Sequence, residues 1–63
     1  MKRKEIKNLA EKIAKFERII QTSSDKKEIA RAEQEIMKLS SCVKSLDDMV
    51  AVDEMVMEIL EKN

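Results

Sequence analysis

Glycine, proline, histidine, tryptophan and tyrosine are all absent from the 63 residues, and cysteine and phenylalanine occur once each. Without glycine there is no phosphate-cradling loop, and turns fall to Ser, Asp and Asn. Without proline nothing breaks a helix from inside. Without histidine there is no ordinary general base near neutral pH, and Cys42 has no imidazole to activate it. A transition-metal site would have one thiol and no imidazole, and no calcium-loop spacing occurs. Glu11, Glu33, Glu35, Glu54 and Glu58 read as residues of solvated helix faces. The expectation is a protein with no catalytic activity, no cofactor, no metal and no small-molecule substrate.

Two further absences bear on location. Met1-Lys2-Arg3-Lys4 has the charge of a secretory leader, but Glu5, Lys7 and Asn8 interrupt any apolar run behind it. No segment approaches the ~18 apolar residues of a membrane span. One cysteine excludes an internal disulfide and fits a reducing compartment. An intracellular, cytoplasmic protein with no membrane contact is expected, and no role for Cys42 follows.

What is present is a helical pattern. Charged residues make up 41% and apolar residues 43%, the balance of helices with one solvated face and one packed face. Ile29, Ala32, Ile36, Leu39, Val43, Leu46 and Val50 follow one another at alternating spacings of three and four, an apolar stripe that needs a partner helix. Residues 2–21 form a first helix, with Ile6, Leu9, Ile13, Phe16 and Ile20 in the same alternation and Ala10, Ala14 and Ile19 widening the face. Thr22-Ser23-Ser24-Asp25 is a turn; Asp25 with Glu28 has capping-box spacing, and Ser24 is an equally good N-cap one residue earlier.

A second helix begins near Lys26, and the sequence supports two ends for it. Ser40, Ser41 and the Ser45–Asp48 pair argue for a break near residue 45, giving helices over about 26–44 and 46–62. The stripe, running in phase through Leu46 and Val50, argues for one continuous helix. Both versions place residues 46–60 in a core. Met55, Ile59, Val52, Val56, Met49, Leu60, Leu46, Met57 and Val50 cover an arc of about 220° on a helical wheel. So wide an arc faces two neighbours, making the last segment the candidate for the centre of the assembly or a surface kept for a partner.

The fold class expected is all-α: an antiparallel helical hairpin or a short three-helix bundle, with coiled-coil-like packing. For a single domain of this mass, apolar burial and the entropy of ordering are each on the order of 90 kcal/mol and cancel. Self-association is therefore expected.

The function expected is that of a small interaction module, a self-assembling scaffold or an adaptor or inhibitor docking on a larger protein. Ile29, Ile36, Leu39, Val43, Met49, Val52, Val56 and Ile59 are the candidate interface. Asp53 falls inside the apolar arc, between Leu46, Met57 and Leu60. It either meets solvent or a cation of the first helix, with Arg3, Lys4 and Lys7 as candidates, or sets register as a polar residue in an apolar seam. The competing class is a small RNA- or ribosome-associated protein. Residues 1–20 carry seven basic and three acidic side chains, whereas residues 41–63 carry two and six. Lys4, Lys7, Lys15 and Arg18 share an outer face that could track phosphates. With zero net charge, mutual attraction of the two ends is the simpler use of that asymmetry.

Overall fold

Three helices account for most of the described residues: α1 (Arg3–Thr22), α2 (Lys26–Ser41) and α3 (Leu46–Glu61). The structure is a computed structural model and describes residues 1–62. Residue 63, included in the single-domain reading, lies outside the described residues.

The first connection shows how the chain turns without glycine. Thr22 Oγ1 donates to the Arg18 carbonyl at 2.8 Å, and the Ser23 N–H donates to the Ile19 carbonyl at 2.8 Å, satisfying acceptors left open at the helix end. The Asp25 N–H then donates to Ser23 Oγ at 3.1 Å, while the Asp25 carboxylate accepts from the Lys27 N–H at 3.0 Å as the N-cap of α2. Neither half of the capping box expected with Glu28 is formed among the described residues: the Asp25 carboxylate takes the Lys27 N–H rather than that of Glu28, and Ser23 takes the Asp25 N–H. No described residue has a positive φ, so neither connection needs the residue the sequence lacks.

The second connection settles the length of α2. Ser41 Oγ donates to the Lys38 carbonyl at 2.6 Å, and the N–H groups of Cys42 and Val43 donate to the carbonyls of Leu39 and Ser40. These i→i−3 bonds tighten and end the last turn. The continuous 26–62 helix is therefore not formed, and α2 ends three residues before the expected 44. Ser45 is the N-cap of α3 but makes no side-chain cap bond. Its expected partner, Asp48, bonds the amino group of Met1 at 3.3 Å instead.

Packing follows from α1. Ala10, Ile13 and Ala14 are buried on it, and with Val43, Val52 and Val56 they form the core cluster. Ile6, Leu9, Ile36, Leu39, Met55, Ile59 and Leu60 pack around them. Two alanines let helices approach α1 closely, and both α2 and α3 lie against it while scarcely touching each other. The central element is therefore α1, not the wide C-terminal helix; α3 lies on the flank. The Met1–Asp48 ion pair joins the starts of α1 and α3, and the Arg18 guanidinium bonds the Ile59 carbonyl near their ends. Thus α3 runs parallel to α1, with α2 returning between them in sequence.

The result is a shallow layer of 34 × 25 × 15 Å. Its radius of gyration is 11.7 Å, against about 10.6 Å for a fully compact chain of this length. One face of α1, between α2 and α3, is left as a groove.

Candidate partner-binding face

The four-residue second connection resets the rotation of the chain. Upstream of it the stripe points inward: Ile29, Ile36 and Leu39 are half-buried, and Ala32 and Val43 are buried. Downstream the same stripe points outward, with Leu46 at 77% and Val50 at 49% exposure. A helix continuing in phase would have carried both into a seam with its predecessor. The two residues expected in the core are instead on the surface.

On α3 this produces two stripes. The inner one, Val52, Val56 and Ile59, faces α1: both valines belong to the core cluster and Ile59 packs against it. The outer one reads Leu46, Val50, Asp53, Met57 and Leu60, at spacings of four, three, four and three. Those spacings describe a helix–helix seam. Met57 is 62% exposed, Asp53 is exposed, and Leu60 is half-buried at the rim. Among the described residues the 220° arc thus has one neighbouring helix, α1, and a second face that is largely exposed.

Beside this outer stripe lies the groove. Ile13 and Glu17 of α1 form its floor; Ile36 and Ser40 of α2 form one wall, and Asp53, Val56, Met57 and Leu60 of α3 the other. Glu17 is half-buried and shares this apolar channel with Asp53. Among the described residues the ion pairs are Met1–Asp48 and Glu35–Lys38, so neither groove carboxylate has a cation. Of the cations expected near Asp53, Lys7 lines a cleft with Met55 and Glu58 on the other flank of α3, and Arg3, Lys4 and Lys7 form no ion pair with Asp53 among the described residues. Met55 and Asp53 are two residues apart and so about 160° apart around α3, which puts Lys7 across the helix from Asp53.

The remaining candidates have these positions. Val43, Val52 and Val56 are buried in the chain's own core, Ile36, Leu39 and Ile59 pack on it, Ile29 is half-buried and Met49 is exposed. The solvent-facing apolar stripe is carried by Leu46, Val50 and Met57, which the sequence gives no reason to separate from the core set. Glu17 was also missed, although on the wheel of α1 it interrupts the face formed by Ile13, Ala10 and Ile20. Lys4, Lys7 and Lys15 are exposed, but Arg18 is half-buried with its guanidinium on the Ile59 carbonyl at 3.4 Å. Glu11 lies among these cations, lining one cleft with Lys15 and Arg18 and another with Lys7 and Glu58. The basic face is thus interleaved with carboxylates.

Cys42 is an exposed free thiol. Among the described residues no group of three acidic, cysteine or histidine side chains could hold a metal ion, and no helix is long and apolar enough to cross a membrane. No family model, no curated protein and no solved structure matches the chain.

Proposed function

We propose that the protein is a non-catalytic helical interaction module that docks on another protein chain through the outer stripe of α3 and the groove beside it. The observation that carries this reading is an apolar stripe at helix-packing spacing left facing solvent, with Leu46 77%, Val50 49% and Met57 62% exposed. Scattered exposed apolar residues are ordinary, whereas aligned ones mark contact surfaces.

The surface area supports the same reading. The chain exposes 5120 Å², whereas a folded monomer of its mass is expected to expose about 4,200 Å². The excess of about 900 Å² is close to the roughly 800 Å² that one partner contributes to a standard interface. A fourth helix laid against α3 in coiled-coil fashion would cover it. Self-assembly and service as an adaptor or inhibitor on a larger protein are two uses of one face. The free, exposed Cys42 suits a reducing, cytoplasmic setting for either.

Site-specific photo-crosslinking in the cell of origin tests the reading. A photoreactive residue at Met57 should give discrete protein adducts, and one at Lys12, exposed on α1, should not. Absence of adducts at position 57, identical adducts from both positions, or adducts with RNA alone would overturn it.

A further inference from the structure

Asp53 is the midpoint of the outer stripe, with Leu46 and Val50 on one side and Met57 and Leu60 on the other. It is exposed, as is most of the stripe around it. Glu17 stands in the adjoining groove, and neither carboxylate is paired with a cation among the described residues. A docking helix would remove water from both. A charge buried at an interface without a partner is strongly unfavourable, whereas a positioned opposite charge fixes register and rejects other partners.

We infer that the occupant of this face is an amphipathic helix of a different protein, with an apolar seam interrupted at its middle by one lysine or arginine that meets Asp53, the Glu17 carboxylate in the adjoining groove adding to the negative field it enters. The inference rests on reading this face as a docking surface and names its partner's chemistry.

A second copy of the chain does not fit. Two outer stripes laid in register, parallel or antiparallel, bring Asp53 against Asp53 because the residue is central. Like charges directly opposed oppose pairing. Outside α3 the exposed large apolar residues are Met1 and Met37. The helical neighbours of Met37 at three and four residues are Glu33, Gln34, Ser40 and Ser41, with no cation among them. The chain therefore presents no apolar seam carrying a central cation to its own copy. The outer stripe extends roughly 21 Å from residue 46 to residue 60, so four turns of partner helix are enough to span it.

The test uses the full chain and three fluorescent, side-chain-stapled helical peptides of about 16 residues, whose length follows from the 1.5 Å rise per residue. The peptides share an apolar seam at spacings of three and four and differ only in a central Lys, Leu or Glu. Anisotropy titration at physiological salt should rank them Lys, then Leu, then Glu. The first and last should differ at least about tenfold in Kd, as expected where a like charge replaces an opposite one at a desolvated position. Asp53→Asn should shrink that preference severalfold, and adding Glu17→Gln should abolish it; both positions reach the surface, so the fold is kept. Sedimentation should show wild type as a monomer and Asp53→Leu as a self-associating species, since the opposed charges are gone.

A Leu-centred peptide binding as tightly as the Lys-centred one would overturn the inference, as would a lysine preference surviving in the double variant. Failure of all three peptides to bind would overturn it too. Wild-type dimers that bury Met57 would replace the heterologous partner by a second copy and leave the interaction reading standing. The crosslinking experiment judges that broader reading independently.

Discussion

Val52 and Met57 lie five residues apart in α3, and the rotation of that helix predicts opposite responses to truncation. Val52 is 2% exposed and belongs to the core cluster, so Val52→Ala removes two buried methyl groups. At about 0.8 kcal/mol per carbon plus an incompletely collapsed cavity, the loss is about 2 kcal/mol. The gain in helix propensity from valine to alanine returns about 0.5 kcal/mol, leaving a net loss of about 1.5. Met57→Ala removes more atoms, but from a side chain 62% exposed, and its cost should stay within about 0.5 kcal/mol. For a domain of this size 1 kcal/mol shifts Tm by roughly 4–8 °C. Thermal melts followed by circular dichroism should therefore drop by roughly 6–12 °C for Val52→Ala and by less than about 4 °C for Met57→Ala. Urea titrations with unchanged slope would confirm that the folded and unfolded states are otherwise the same. If Met57→Ala proves the more damaging, α3 is rotated away from the orientation described and the outer stripe is part of the core.

The two caps of the shorter helices should differ in the same experiment. Asp25→Ala loses the bond to the Lys27 N–H and should cost about 1 kcal/mol; Ser45→Ala loses no side-chain cap bond and should cost less than half as much. Acetylating the amino terminus removes the charge paired with Asp48 at 3.3 Å, and urea midpoints should register less than about 1 kcal/mol for this solvent-accessible pair. Replacing Lys7, Lys15 and Arg18 with Gln should leave helicity intact and change no binding; RNA or ribosome retention lost in that variant, and steeply salt-dependent in wild type, would move the nucleic-acid reading into first place.

Much of the secondary structure was legible because propensity and capping are local. Thr22 to Asp25 are poor helix formers with short polar side chains, and α1 and α2 begin within a residue of where the pattern puts them. The second break was visible in Ser40, Ser41 and Ser45, yet the in-phase stripe argued against it with equal force. Periodicity reports which residues share a face only while the helix is unbroken. Four residues of connection were enough to turn Leu46 and Val50 from the inner face to the outer.

The centre of the assembly was not legible for a related reason. Apolar width marks what a helix could bury, and α3 has the widest arc, but close approach depends on small side chains. Ala10 and Ala14, buried in the core cluster, give α1 that position, whereas in the sequence pattern they only widen its apolar face. The groove is a tertiary product: Glu17 and Asp53 are 36 residues apart in sequence, and only the parallel seating of α3 on α1 sets them in one channel.

The claim that the outer face of α3 is the docking surface is tested most directly by methyl resonances of the five methionines, isotopically labelled and titrated with the Lys-centred helix. Met57 lies in the outer stripe, whereas Met55 lines the cleft on the opposite flank with Lys7 and Glu58. A saturable shift of the Met57 methyl is expected, with Met55 and Met1 unmoved. A shift centred on Met55 or Met1 with Met57 unchanged, or equal small shifts at all five, would contradict it.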